Sequence, residues 1–329
     1  MIVLIAGCGF DDNSDQKSRR EVIIAMQSIP NDEMIARSWY TEELGKALGV
    51  KLILLNYDSS LLISNAMATG NIDIGVFGSA TAAAAISQGQ PCEIFWIHNI
   101  EGENECLVVK ADSGIKSLED LKGKRIGVTF GATTHYSLLQ SMKLAGLTVD
   151  DVALFDLQPP EIIDDWKHGN IDATFIWQPY LGELLDDGRI LFTGRRLDKM
   201  GITTADVAVV NKDFARRHPE IVRKYLELQI KADELYRNQP EQAAEIAAKN
   251  LRTDADDAIK QMDELVWIGL DEQLSERCLG TSERKGRFVQ TLIDTAHFLE
   301  RHDLIDRAAR DEVFAAAVNP SYVEAIYNK

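Results

Sequence analysis

No apolar run in this chain approaches the roughly 20 residues that span a bilayer, so the sequence offers no membrane-crossing helix. Positive charge is also scarce. Thirty-five Lys and Arg stand against 52 Asp and Glu, a net charge of −17, which disfavours nucleic acid and anionic membrane surfaces as partners. That balance does not exclude a small anionic ligand, because a pocket is governed by its local donors. Cysteine is sparse: Cys8, Cys92, Cys106 and Cys278 fit no zinc spacing, and no His-rich segment accompanies them. Cys92 and Cys106 could pair in an exported protein; isolated buried thiols are the other reading. No Ser/His/Asp arrangement stands out either. No enzyme chemistry, metal or cofactor is therefore expected.

What is present is a repeat. Gly-Asn-Ile-Asp occurs at 70–73 and again at 169–172. Each copy ends a helix-like stretch and opens a short apolar run, at 74–77 and 173–177. Small or turn-prone residues and another helical stretch follow each run. Two similar α/β lobes enclosing a cleft are the simplest reading, with the residues just after each run at its mouth. A length of 329 residues suits two domains.

The rest of the chain fits that reading. Strand-like runs at 21–28, 50–57, 72–77, 93–97 and 105–110 alternate with helical stretches at 32–48, 59–69 and 80–87. The rhythm restarts with strands at 125–129, 152–156, 173–177 and 190–192. Such βαβ alternation predicts mainly parallel sheets flanked by helices. A strand at 205–211 returns to the first lobe, and the chain is helical from 213 onward. The expected division is a tether at 1–20, a first lobe of 21–110 with 207–329, and a second lobe of 111–206, joined by a two-strand hinge.

At the N-terminus, Leu4-Ile5-Ala6-Gly7-Cys8 reads like a bacterial lipobox, with Cys8 as the lipidated residue and 11–20 as a flexible tether. Only Met1 to Leu4 precede the box, without a positive n-region. Either the true start lies earlier or the signal has been trimmed.

Two segments carry the chemistry. Gly131-Ala132-Thr133-Thr134 follows a strand and opens a helix, as does Gly78-Ser79-Ala80-Thr81. Backbone N–H groups at a helix start bind anions, aided by the macrodipole, and the hydroxyls add donors. Neither segment contains Arg. Neutral donors of this kind suit an oxyanion ionised at any relevant pH, such as a sulfonate. Capping of their own helices is the alternative role for these hydroxyls.

The resemblance to a known family rests on Thr133-Thr134-His135-Tyr136-Ser137-Leu138-Leu139, Leu157-Gln158-Pro159-Pro160, Trp166, Trp177, Asp206-Val207, Lys212-Asp213-Phe214-Ala215 and His218-Pro219-Glu220. Over roughly 21 to 315 the chain resembles the taurine-binding component of bacterial ABC importers, which has the type II periplasmic binding protein fold. That resemblance implies a monomeric, extracytoplasmic binding protein that delivers taurine or a related sulfonate to a membrane permease. It implies that Ser79, Thr133 and Thr134 hold the sulfonate oxygens. It places Asp206 on the ligand ammonium with Glu105 sharing the task, Trp177 as an aromatic wall, and Gln27 at the cleft end of the first strand. A zwitterion needs such donors, a carboxylate and an apolar wall. His135 is expected to pack or hydrogen-bond.

The chain departs from that pattern in two places. Asn31-Asp32-Glu33 stands where a small residue and a lysine are usual, and Gln178 where an acid or a small residue is usual. Extra acid at 32–33 means either a more cationic ligand or an outward helix face. Other small zwitterions or oxyanions (alkyl sulfonates, betaines, phosphonates, nitrate) are alternative cargoes. A thiamine-pyrimidine-synthase-like enzyme is the alternative of a different class.

Overall fold

The computed structural model describes residues 21–328. Cys8 and the tether expected at 1–20 lie outside the described residues. The chain opens with β1 (Glu21–Met26), β2 (Lys51–Asn56), β3 (Ile74–Gly78) and β4 (Cys92–Ile100). It continues through β5 (Glu105–Lys110), β6 (Arg125–Val128), β7 (Ala153–Asp156), β8 (Ala173–Trp177) and β9 (Gly188–Thr193). Then come β10 (Ala205–Asn211) and a two-residue β11 (Val266–Trp267). Between them lie α1 (Asp32–Trp39), α2 (Ser60–Ala68), α3 (Ser79–Ser87), α4 (Thr133–Leu144), α5 (Pro159–Lys167), α6 (Tyr180–Leu184) and α7 (Gly194–Lys199).

Two sheets form, in the orders β2-β1-β3-β10-β4-β11 and β7-β6-β8-β5-β9. The first five positions of each are the same unit. Three strands run parallel (β2, β1, β3 and β7, β6, β8). One strand of opposite direction, β10 or β5, then separates them from the fifth. The strands β3 and β8 are buried along their whole length, as sheets covered on both faces require. This is the two-lobed fold expected, with each sheet mixed rather than simply parallel.

The Gly-Asn-Ile-Asp repeat is the stitch of that unit. Gly70 (φ 77°) and Gly169 (φ 71°) take the left-handed conformation that ends the preceding helix. The Asp73 carboxylate accepts the Ile23 N–H at 2.9 Å, and the Asp172 carboxylate accepts the Arg125 N–H at 2.9 Å. Their carbonyls accept Asn211 N and Lys110 N, both at 3.0 Å, from the ends of β10 and β5. Each aspartate thus ties three neighbouring strands together at the edge remote from the cleft.

Two expectations need correction. The lobe boundary at 110/111 is displaced, because β5 pairs with β8 and β9 in the second sheet. The chain crosses between Ile100 and Glu105 instead. Asp206, assigned to the end of the second lobe, sits in β10 of the first sheet. Sequence order made β5 look like a fifth strand of the first unit; only its pairing reveals otherwise. Of the two readings of Cys92 and Cys106, that of isolated buried thiols holds. They are buried free thiols on strands of different sheets, and burial pushes the Cys92 pKa up to about 11.

Asp32 and Glu33 neither face the cleft nor point outward. Both lie under α1. Asp32 accepts Trp96 Nε1 at 2.7 Å and faces His98 Nδ1 at 2.6 Å. Glu33 Oε2 accepts the hydroxyls of Tyr40 (2.5 Å) and Tyr225 (2.6 Å) and the Gln229 amide (2.9 Å). Burial works against the charged form of His98, but the facing Asp32 carboxylate overrides it and raises the pKa. These acids anchor α1 to β4 and to the helix Pro219–Asn238. The network is only partly satisfied, since Glu33 Oε1, His98 Nε2 and Gln229 Oε1 have no partner.

Candidate functional site

Two chain crossings join the lobes, residues 101–104 and 200–204, and they bond to each other through Glu101 N and Thr204 O at 2.9 Å. In front of them lies a small pocket, lined by Gln27, Ile29, Ser60, Gly78, Glu101, Asn104, Glu105, Ala132, Thr133, Trp177 and Asp206.

Strand register delivers most of these residues. Asp206 lies between Gly78 and Asn99, and Glu105 lies opposite Trp177. Gln27 follows the last residue of β1. Three helices begin at the cavity wall: α2 at Ser60, α3 just after Gly78, and α4 after Ala132. The first-turn N–H groups of a helix have no partner within it, so the cavity borders three sets of anion-binding donors.

The same cavity holds three buried acids. Glu101, Glu105 and Asp206 are 2 %, 3 % and 4 % exposed. Among the described residues none of them forms an ion pair with Lys, Arg or His. Glu101 Oε2 accepts the Asn104 amide, and Glu105 Oε1 accepts the Thr133 hydroxyl. Glu105 Oε2 has no hydrogen-bond partner. Burial pushes the Glu101 carboxyl up to about 7. Burial, reinforced by the neighbouring Glu101, holds Glu105 well above the usual range. Burial and the two neighbouring glutamates do the same to Asp206. Three desolvated carboxyls without a cation form a receptor for positive charge.

Of the residues singled out from sequence, Gln27, Glu105, Thr133, Trp177 and Asp206 border the cavity. Ser79 and Thr134 do not. Ser79 Oγ accepts the Ala205 N–H at 3.2 Å, tying α3 to the hinge strand. Thr134 is fully buried one residue deeper, and its hydroxyl has no partner. Thr133 lines the wall, but its hydroxyl proton is committed to Glu105, leaving its backbone N–H for an anion. His135 stacks on Phe130 at 4.3 Å and accepts the Gly131 N–H at 3.3 Å. Burial depresses its pKa to about 4, so it stays neutral. Gln178 donates to Glu264 at 3.0 Å and accepts from Gly182 N, behind the cleft. Sequence reasoning missed Ser60, Glu101 and Asn104. For Ser60 the signal was there: it opens a helix after a strand, as Ser79 does.

The cleft is closed. Thr81 Oγ1 reaches the Gly131 carbonyl at 3.3 Å, and the Tyr180 hydroxyl reaches Asp58 at 3.4 Å. Gly78 is what permits this approach. A Cβ there would stand 2.9 Å from Thr133 Cγ2 and 3.5 Å from Ser60 Oγ. Thr133 is β-branched and stiff and is bonded to Glu105. Gly78→Ala should therefore hold the lobes apart, weakening the cavity's ligand about tenfold with little change in unfolding midpoint. Small-angle scattering with saturating ligand, showing the same compaction as wild type, would contradict this.

Comparison with known proteins agrees with the fold. A family described as NMT1/THI5 like matches residues 36–243. The chain is 34 % identical over 297 residues to the taurine-binding periplasmic protein of Escherichia coli (strain K12), covering 88 % of this chain and 89 % of that one. The chain belongs to the NMT1/THI5-like family. Among solved structures, the periplasmic aliphatic sulphonate binding protein of Escherichia coli superposes with a TM-score of 0.72 at 21 % identity, over 93 % of this chain and 100 % of that one. The alkanesulfonate-binding protein of Xanthomonas axonopodis pv. citri, bound to MOPS, gives 0.72 at 18 % identity, over 91 % and 97 %. Within the NMT1/THI5-like family this chain has the two-lobed fold of these solved proteins.

Proposed function

We propose that this protein is the extracytoplasmic solute-binding component of an ABC importer and that it binds taurine or a closely related amino-sulfonate between its lobes. One observation carries the reading: a single small cavity is bordered both by three helix N-termini and by three buried carboxyls. A ligand with a fixed negative head and an ammonium a few atoms away uses both. The identity to the taurine-binding periplasmic protein over most of both chains supports this cargo. In this reading the first-turn N–H groups of α2, α3 and α4 meet the sulfonate. Asp206 and the free Glu105 Oε2 meet the ammonium, and Trp177 and Ile29 flank the methylenes.

Closure supplies the mechanism. Groups from both sheets surround the cavity, so only the closed form makes all the contacts, and ligand shifts the population toward it. The closed protein, working as a monomer, is then presented to a membrane permease. Its place is the periplasm or the outer face of the cytoplasmic membrane, tethered through Cys8.

The test is a calorimetric panel of taurine, hypotaurine, ethanesulfonate, glycine betaine, phosphonates and nitrate. Tightest binding by taurine or hypotaurine is the expected result. Ethanesulfonate or nitrate binding more tightly than both would remove the amino-sulfonate reading.

A further inference from the structure

The charges in the cavity do not balance, and the imbalance has a measurable outcome. Glu101, Glu105 and Asp206 contribute three carboxyls, all at least nine-tenths buried. The walls around them are neutral: Gln27 from β1, Ser60 from α2, Gly78 from β3, Asn104 from the crossing loop, Thr133 from α4 and Trp177 from β8. On β4, Asn99 is opposite Asp206, while the adjacent His98 faces Asp32. Beside the crossing loop, the Arg195 guanidinium is committed to Glu103 and to the Glu264 carbonyl. A zwitterion adds one positive and one negative charge, so three ionised carboxylates would leave the closed cavity strongly negative. Desolvated like charges do not persist in that state; one of them binds a proton instead.

Resting on the amino-sulfonate reading, we propose that the protein takes up about one proton from solvent when it closes on its ligand, held as a hydrogen bond between the Glu101 and Asp206 carboxyls. In the complex Glu105 carries the charge that meets the ammonium, because its Oε1 accepts from Thr133 and the ligand supplies the donor that its Oε2 lacks. The proton's pKa is raised in the closed complex relative to the open, solvated protein. Its contribution to binding is therefore complete below the open-state carboxylate pKa. It is lost as pH rises through the closed-state value. The Glu101 carboxyl, pushed up to about 7 by burial, puts that loss near neutrality.

Titration calorimetry of taurine at pH 6, in phosphate and in bis-Tris, reads the proton directly from the difference in heats. About one proton taken up is expected there, with Kd weakening by up to about tenfold per pH unit between pH 5 and 6.5 and levelling off above neutrality. Ethanesulfonate, which brings no ammonium, should draw in more protons than taurine. Glu101→Gln installs the neutral partner in advance, so its uptake should fall towards zero and its pH dependence flatten while taurine still binds. Asp206→Asn, with the same expected loss of uptake, serves if that variant fails to fold. Equal heats in both buffers with tight taurine binding would overturn the proton alone. No heat from any amino-sulfonate, with ethanesulfonate bound normally, would overturn the ligand reading and the proton together.

Discussion

Asp206→Ala is expected to weaken taurine binding about a hundredfold and to leave ethanesulfonate unchanged or bound more tightly. Asp206 is 4 % exposed and lies between Gly78 and Asn99. Truncating one side of a buried charge pair costs roughly 2–5 kcal/mol, and each 1.4 kcal/mol is about tenfold in Kd. Alanine removes both acceptor oxygens and leaves an ammonium facing Glu105 alone. Ethanesulfonate has no ammonium to lose, and with it the removal of one of three mutually repelling carboxyls is a relief. Calorimetry with the two ligands separates these outcomes. Equal losses for both would take Asp206 out of the ammonium site.

Gly102→Ala is expected to destabilise the protein by about 3 kcal/mol, at the upper end of overpacking costs, and to weaken ligand binding at least tenfold. A Cβ at Gly102 would stand 2.0 Å from the Glu264 carbonyl oxygen. That oxygen already accepts Glu103 N at 2.8 Å, and the Gly102 carbonyl accepts Arg195 N at 3.0 Å. Both are backbone contacts, so no side chain can turn away to make room. The displaced loop carries Glu101, Asn104 and Glu105, so the damage reaches the cavity. Gly89→Ala is the control. Gly89 has φ +77° with open space around it, so alanine there costs about 1 kcal/mol through backbone strain and leaves binding unchanged. Urea unfolding and calorimetry on both variants test the contrast; a Gly102→Ala protein as stable as wild type would refute it.

The duplicated architecture was legible because Gly-Asn-Ile-Asp has a mechanical job that tolerates few substitutes. A left-handed residue must end the helix, and a short carboxylate must clip the next strand. Gln27 and Trp177 stand at the ends of parallel strands, which such a sheet unit sends to the cleft, whereas Glu105 and Asp206, at the starts of antiparallel strands, were suggested by the family resemblance alone. Ser79 and Thr134 were placed correctly on helix starts, but a helix start spans about 100° per residue. Which hydroxyl faces the cavity depends on a rotation that sequence does not disclose. Glu101 and Asn104 went unread because they belong to a crossing loop held by distant partners: Glu101 bonds Thr204, 103 positions on, and Glu103 bonds Glu264, 161 positions on. Asp32 and Glu33 looked like surface acids. Their burial depends on Trp96, His98, Tyr40, Tyr225 and Gln229, which converge from β4 and two other parts of the chain.

The provenance of the strands sets an order of assembly. The second sheet is drawn from one uninterrupted stretch, Glu105 to Thr193, whereas the first needs β10 at its centre. Until residues 205–211 arrive, β3 and β4 have no strand between them, and their inner edges are unpaired. During synthesis or secretion, then, the inserted half can mature early while the half that contains both termini stays pliable and open to chaperones. Under the extracytoplasmic placement proposed above, such a delay suits a chain that is threaded through a pore before it sets.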